Sequence, residues 1–398
     1  MDKKILHIDV NNAFLSWEAV ERLKNGEKID LRTIPSIIGG DESQRHGVVL
    51  AKSTVAKQFG IKTGEPIYQA RQKCPSIKVV PMNRGIYKRY SDNLYKLFKE
   101  YTDKIERFSI DECFLDMTEY VKPGEDLVKI GIEIKERVKK EFGFTVNVGV
   151  SDDKILAKIA SDFEKPDKIH TLYKSEIEEK LWNLDIDEMF LVGKKSIPKL
   201  NRLGIKKIGD LAKKDERFMI KNFGKYGYTI WRYANGNSKE EVNYEESKPK
   251  GIGNSVTLPY DYESIDSLIP VLVTLTEQVA YRLRKEDMLA STVNVQLKNS
   301  NFEIYSHQKK LKTHTDSSKE ICNTAKEILS EVYRGDKIRL IGIRVDGLVE
   351  KGEMQISFFD EKEDEKSRKV DKAIDLLKDR YGYGIIKKAG EIHNQNKK

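Results

Sequence analysis

Apolar positions along the chain recur in two periods, and the alternation between them sets out the elements. Residues 4–10, Lys-Ile-Leu-His-Ile-Asp-Val, read as a short buried strand with Asp9 near its end. Helical spacing follows from Phe14 to Leu23. Val48-Val-Leu-Ala51 is strand-like, and residues 53–59 are helix-like up to Gly60. Tyr87, Tyr90, Leu94, Leu97, Phe98 and Tyr101 fall on one face of an amphipathic helix. Two strands are expected at 105–110 and 113–117, with Asp111-Glu112 between them. Leu127, Ile130, Ile134 and Val138 mark a second helix, 144–150 alternates as a strand, and 153–163 is a further helix. The order is βαββαβ, which closes into an antiparallel sheet with helices on one face.

After about residue 172 the pattern turns to short helices and glycines, as far as Asn235-Gly-Asn. Residues 236–250 are polar, charged and aperiodic, and read as a linker. A second βαββαβ run follows: strand 251–257, helix 268–286, strands 291–298 and 302–306, helix 316–333, strand 337–345. From 349 the chain is a charged tail with one helix ending near Arg380. The fold class is therefore α+β and multidomain.

Composition narrows the class. The 398 residues are 38% hydrophobic and 34% charged, enough for packed cores but without an apolar run of membrane-spanning length. No secretory leader opens the chain, so a cytoplasmic protein with no membrane contact is expected. The three cysteines, Cys74, Cys113 and Cys322, lie far apart and outside any zinc-ligand spacing, which disfavours disulfides or structural zinc. Lys and Arg total 72 against 64 Asp and Glu, a net charge of +8 that hints at a polyanionic partner.

The chemistry centres on three carboxylates. If the first strand lies beside the central hairpin, Asp9 meets Asp111 and Glu112 at one end of the sheet. Three packed carboxylates repel unless cations neutralise them, and Mg²⁺ suits such a set. An Asp-Glu pair taken alone would be read as a solvated turn.

The surroundings of these carboxylates carry a resemblance. Phe108-Ser-Ile-Asp-Glu-Cys-Phe-Leu-Asp116 looks like the catalytic "SIDE" motif of the Y-family (translesion) DNA polymerases, DinB/UmuC-like. His7-Ile-Asp-Val-Asn-Asn-Ala-Phe14 is similar to their N-terminal motif. Asn147-Val-Gly-Val-Ser151, Lys154, Leu156-Ala-Lys158-Ile-Ala-Ser161 and Lys165-Pro resemble their following segment. Lys250-Gly-Ile-Gly-Asn-Ser-Val-Thr257 resembles the opening of their little finger. Gly60-Ile-Lys-Thr-Gly-Glu-Pro66 leans toward the bacterial UmuC-like branch.

This resemblance implies a palm over residues 1–172 with a fingers insert at about 13–75, a helical thumb at 173–235, a linker at 236–250 and a little finger at 251–348. It implies that Asp9, Asp111, Glu112 and the carbonyl of Val10 hold two Mg²⁺, with Mn²⁺ as a substitute. It makes Phe14 the steric gate against a ribose 2′-hydroxyl and Lys158 the triphosphate lysine. Thr54 and Lys57 stand where the family often has Tyr and Arg, and would also meet the nucleotide. Lys57 can place a charge on phosphate but cannot form a bidentate fork.

Val192-Gly-Lys-Lys-Ser-Ile-Pro-Lys-Leu-Asn-Arg-Leu-Gly204 resembles a thumb helix-hairpin-helix, with Gly193 and Lys194 facing a DNA phosphate and Leu191 in place of a first glycine. Lys298, Lys309, Lys310, Lys312, Arg339 and Arg344 would track the DNA backbone from the little-finger sheet. Gln355-Ile-Ser-Phe-Phe359 resembles a sliding-clamp peptide, with Gln355, Phe358 and Phe359 as anchors. The implied protein is a monomeric, low-fidelity, template-directed DNA polymerase using primer-template DNA and deoxynucleoside triphosphates. A non-catalytic DNA- and clamp-binding scaffold is the competing reading. A nucleotide cyclase, prompted by Gly39-Gly-Asp-Glu-Ser43, would place that signature in the central hairpin, where Asp111-Glu112 stand instead.

Overall fold

The computed structural model describes residues 3–40, 47–122, 124–245, 248–353, 363–382 and 385–386. Two compact units divide the chain, one of Met1–Gly40 and Gly47–Glu246, the other running from Ser247 to Lys398. No helix among the described residues is long and apolar enough to cross a membrane.

The first unit is built on β1 (Ile5–Val10), followed by α1 (Ala13–Lys24), β2 (Ser36–Gly39), β3 (Val49–Lys52), α2 (Thr54–Gln58), α3 (Ile67–Lys73), β4 (Lys78–Pro81) and α4 (Arg84–Phe98). Next come β5 (Ile105–Arg107), β6 (Glu112–Asp116), α5 (Leu127–Phe142), β7 (Val146–Ser151), α6 (Lys154–Asp162) and β8 (Ile169–Thr171). The main sheet runs β5-β6-β1-β7-β8. β1 is antiparallel to both β6 and β7, whereas β8 joins β7 in parallel.

Every residue of β1 and β7 is buried, the mark of strands covered on both faces. Leu6, Ile8 and Val10 point into a core shared with Trp17 of α1, Tyr90 and Leu94 of α4, and Ile134 and Val138 of α5. Ile5, by contrast, packs with Phe114 and Ala157. α6 thus covers the face opposite α4 and α5, a second layer beyond the single helical face expected from the strand order. Its close seat depends on Gly149, where an added Cβ would lie 1.9 Å from the Ala157 carbonyl oxygen. Burying side chains as large as Trp17 and Phe144 stabilises the layer by about 1.5–3 kcal/mol each.

A separate three-stranded sheet, β3-β2-β4, makes the insert. It continues to Pro81, beyond the expected end near 75, because β4 pairs in parallel with β2. α1 serves both cores: Trp17 and Val20 face the main sheet, and Leu15 and Ala19 face Ile38 and Val80. β2 ends at Gly39, away from the central hairpin; Asp41–Ser43 of the cyclase-like stretch lie outside the described residues.

α7 (Ile197–Arg202), α8 (Ile208–Ala212) and α9 (Glu216–Ala234, kinked at Gly224) form a third core, which includes Ile155 and Ile159 of α6. The segment read as a linker does not begin free. Ser238 donates from its backbone N–H (3.1 Å) and hydroxyl (2.8 Å) to Asp153, the Lys154 ammonium reaches the Glu241 carbonyl at 3.0 Å, and Val242 is buried with Ile5 and Phe114. The backbone N–H of Asn243 donates to Glu106 at 2.5 Å. This hold on the first unit reaches at least Asn243, and the boundary between units falls at Glu246/Ser247.

The second unit contains β9 (Gly251–Tyr262), α10 (Ile265–Lys285), β10 (Met288–Asn299), β11 (Ile304–Thr315), α11 (Ser318–Val332), β12 (Ile338–Asp346), β13 (Val349–Glu350) and α12 (Glu363–Tyr381). Its sheet runs β11-β10-β12-β9, with α10 and α11 packed on one face. The first and last strands have exchanged roles relative to the first unit, since here the last strand, β12, is interior. The charged tail carries the expected helix, α12, held by Arg284, which meets Asp375 at 2.6 Å and Asp371 at 3.3 Å, and adds a short strand, β13, that pairs with Met288 and Leu289.

Candidate active site

A cleft of about 530 Å³ opens where the main sheet meets the insert. Asp9, Val10, Phe14, Asp111 and Glu112 line it from the sheet and α1; Lys52, Thr54 and Lys57 line it from the insert. Register explains the acidic wall. Asp9 stands directly across the ladder from Glu112, and the Val10 N–H donates to the Asp111 carbonyl at 3.1 Å. The expected juxtaposition of the three carboxylates therefore follows from β1 pairing with β6. The first hairpin strand stops at Arg107, leaving Phe108–Asp111 as the turn that presents the acids.

Each carboxylate has its own partner. Asp9 pairs with Lys165. Asp111 accepts the Ser109 hydroxyl at 2.6 Å. Glu112 accepts from Lys158 at 2.8 Å and lies 3.7 Å from Nε2 of the buried His7, whose Nδ1 is 2.7 Å from the Ser161 hydroxyl. Burial, aided by the neighbouring Glu112 and Asp111 charges, pushes Asp9 up to about 6 despite Lys165. Burial acts the same way on Glu112, but the adjacent His7 ring and the hydrogen-bonded Lys158 ammonium outweigh it and hold it at about 2. Burial also lowers the His7 pKa, favouring the neutral ring.

The residues fit a hard cation. Their donors are oxygens, the set that Mg²⁺ takes, and Asp9 is a buried carboxylate placed across the ladder from Glu112. Among the described residues no three acidic or histidine side chains are gathered at ligating distance. The lysine and serine partners account for that, since each carboxylate is turned to one of them.

Several assignments change. Lys158 does not line the cleft; it lies on α6 behind Glu112, with its ammonium 5.1 Å from the Phe108 ring centroid and 5.6 Å from that of Phe190. Lys165 lines the cleft instead. Its ammonium is kept protonated by Asp9 and Asp162, which overcome the lowering effect of burial. The loop carrying it is fixed by Asn147, which donates to the Ser161 (3.0 Å) and Glu164 (2.7 Å) carbonyls. Lys52, overlooked in the sequence, joins Lys57 and Lys165 as a third cation of the cleft. Phe14 stacks on Tyr87 at 4.7 Å and 13°, half-buried, with its residue on the cleft wall. Thr54 begins α2, whose cap is the Ser53 hydroxyl accepting from the Ala56 N–H at 2.9 Å.

Outside the cleft, Gly193 and Lys194 are exposed in the turn before α7. Leu191 occupies the left-handed region at φ 70°, the conformation a glycine would take without strain. In the second unit Lys310 aligns across the sheet with Thr292, and Arg344 with Asn294, on the face away from α10 and α11. Arg344 is bound to Asp346 at 2.8 Å. Lys309 is corrected: it points to the helical face, where it meets Glu331 at 2.6 Å and Glu327 at 3.3 Å. Lys312 is exposed, and Lys298 and Arg339 flank the β10–β11 turn. Gln355, Phe358 and Phe359 lie outside the described residues.

Comparison with known proteins points to one family. Residues 8–162 match the impB/mucB/samB family and residues 249–358 match its C-terminal domain. DNA polymerase IV of Clostridium acetobutylicum is 46% identical over 397 residues, covering 100% of both chains. DNA polymerase IV of Acetivibrio thermocellus is 37% identical, covering 98% of this chain and 97% of its own. Among solved structures, a Y-family DNA polymerase chimera of Dbh and Dpo4 aligns with a TM-score of 0.78 at 28% identity, covering 87% of this chain and 100% of that one. DinB from Sulfolobus solfataricus aligns with a TM-score of 0.58, also at 28% identity and with the same coverage.

The chain belongs to the impB/mucB/samB family, the Y-family DNA polymerases. These relatives support the DinB-like side of the resemblance rather than the UmuC-like lean. Membership implies an enzyme that depends on divalent metal, and the folds described above are its palm, fingers, thumb and little finger.

Proposed function

We propose that the chain is a DNA-directed DNA polymerase of low fidelity that copies damaged and undamaged templates. The observation that carries this is Asp9 set opposite Glu112, with Asp111 beside them, on a cleft whose other wall bears Lys52 and Lys57. The primer 3′-hydroxyl oxygen bonds to the α-phosphorus of a deoxynucleoside triphosphate, the bond to the bridging oxygen breaks, and pyrophosphate leaves. Two Mg²⁺ (or Mn²⁺) held by Asp9, Asp111, Glu112 and the Val10 carbonyl would activate the attacking oxygen and stabilise the leaving one.

The protein's own contribution is charge and shape. Lys52, Lys57 and Lys165 offset the triphosphate charge, with Thr54 as a hydroxyl donor. Phe14, backed by Tyr87, fills the space beside C2′ and excludes ribonucleotides. Lys158 keeps Glu112 ionised rather than touching the nucleotide. Among the described residues the fingers sheet has three strands, of four residues each, too little to close tightly on a nascent pair, which favours tolerance of distorted templates.

Primer-template DNA is tracked without sequence readout by Gly193 and Lys194 in the thumb and by Lys298, Lys310, Lys312, Arg339 and Arg344 in the little finger. Gln355, Phe358 and Phe359 dock a sliding clamp. The enzyme works as a monomer in the cytoplasm.

Primer extension with Mg²⁺ on undamaged and lesion-bearing templates tests the reading. Asp111→Ala should abolish extension and retain DNA binding. Extension by that variant at near-parental rate would overturn the assignment of the acidic wall.

A further inference from the structure

The turn joining β10 to β11 is tied down through the backbone N–H groups of Asn299, Ser300, Phe302 and Glu303. Asn299 N–H donates to the Glu303 carbonyl at 3.0 Å, Phe302 N–H to the Asn299 carbonyl at 3.0 Å, and Ser300 N–H to the Lys337 carbonyl at 2.9 Å. The Asn299 side chain closes it further, accepting from Glu303 N–H at 3.0 Å. So constrained, Phe302 sits at φ 66°. A short hairpin places its left-handed residue here, and glycine is the residue that takes that conformation freely. A bulky aromatic at positive φ is an outlier that asks for a reason.

Packing does not supply one, because Phe302 is 62% exposed. Its ring is instead flanked by cations: the Arg339 guanidinium lies 4.9 Å from the centroid and the Lys298 ammonium 5.9 Å. The carboxylates nearest the turn are engaged elsewhere. Glu303 accepts from Asn299 at 2.8 Å, and Asp336 from Tyr305 at 3.3 Å. The protein thus holds an exposed ring beside two cations that make no ion pair among the described residues, at a strained position.

We propose that Phe302, with Lys298 and Arg339, is a contact for a single DNA strand, in which the ring stacks on an unpaired base and the cations meet the adjoining phosphates. This rests on the polymerase reading and extends it, assigning the turn to unpaired DNA. Bases inside a duplex have their faces covered, so an aromatic platform selects unpaired ones.

The test uses the full chain and Phe302→Gly, which removes the ring, keeps both charges and suits the backbone. Binding is measured by fluorescence anisotropy over a range of NaCl, on a primer-template with a single-stranded overhang and on a blunt duplex. The overhang substrate should bind about fivefold more weakly or worse, the low end of base–aromatic stacking. The salt slope should not move, because no phosphate-binding charge is lost. The thermal midpoint should hold or rise. Arg339→Ala, in contrast, should flatten the slope by about 0.7–0.9.

Affinity within twofold of the parent on the overhang substrate would overturn the inference. So would an equal loss on the blunt duplex, or a loss of affinity accompanied by a fall in thermal midpoint. If the parent itself bound no DNA, the polymerase reading would fall and this inference with it. A parent that binds, with an unaffected variant, sinks the inference alone.

Discussion

Asp9 and Glu112 face each other across one ladder, yet their removal should change the stability of the metal-free protein in opposite directions. Asp9 is held near 6, against 3.8 unperturbed, because burial and its acidic neighbours outweigh Lys165. An acid raised in the folded state costs nothing below its unfolded pKa. Its cost grows as pH climbs through the window from about 3.8 to 6, reaching about 3 kcal/mol at neutral pH. Glu112 has the reverse sign. Lowered from 4.5 to about 2, it contributes about 3 kcal/mol above pH 4.5, lost as pH falls toward 2. Asp9→Asn should therefore stabilise the protein at pH 7 by up to about 3 kcal/mol, with little gain near pH 4. Lys165 keeps a partner in that variant, since it also meets Asp162 at 2.7 Å. Glu112→Gln should destabilise by about 3 kcal/mol at pH 7, because it strands the buried Lys158 ammonium.

The assay is urea unfolding in EDTA, followed by tryptophan fluorescence. All three tryptophans, Trp17, Trp182 and Trp231, belong to the first unit, so the signal reports the unit that holds the site. Adding Mg²⁺ should then stabilise the parent, by mass action on a site present only when folded, and should do little for Asp9→Asn. Equal destabilisation by both variants at pH 7, or a gain from Asp9→Asn that persists unchanged to pH 4, would refute the electrostatic account.

Two further outcomes rest on local geometry. Lys165→Met should raise the KM for nucleotide with a roughly 10- to 100-fold loss in kcat/KM, as for one charged hydrogen bond; Lys158→Met should leave that KM alone, and a KM effect confined to Lys158 would restore it as the triphosphate lysine. Leu191→Gly should add about 1 kcal/mol of stability by relieving the left-handed backbone, read as a higher urea midpoint in the same fluorescence assay, with no gain counting against strain at that turn.

Much of this was legible in the chain because the strong periodic segments are long. α4, α5, α10 and α11 each carry an apolar stripe that only a helix satisfies, and one pairing that the βαββαβ order allows, β1 beside β6, is the one that brings Asp9 to the hairpin. The misses have physical causes. β2 and β4 are four residues each, too short to show a period. Val242 is a single apolar residue in a charged stretch, and only the hollow between Ile5 and Phe114 makes it an anchor. Lys309 was misplaced because its strand was expected to end near 306, whereas β11 continues to Thr315. With the strand unrecognised there, its alternation could not say which face Lys309 takes. Lys158 and Lys165 lie seven residues apart, so both match a cationic motif; only the end of α6 at Asp162 shows that the later one turns back to Asp9.

That last distinction explains the segment from Asn147 to Ser151 as well. None of its side chains lines the cleft, yet two of its residues govern what does. Gly149 lets α6 approach β7 so closely that no side chain fits between them, which brings Lys158 within 2.8 Å of Glu112 and Ser161 within 2.7 Å of His7. Asn147 then grips the carbonyls where α6 ends, and so aims the loop that carries Lys165 at Asp9. An acidic cleft built on a sheet buried on both faces holds its charges at a cost, and α6 with its adjoining loop supplies the counter-charges. A side chain at position 149 would push away the helix that carries Lys158, and loss of the Asn147 amide would free the loop that carries Lys165. Both would disturb the charge balance of the site without touching a substrate.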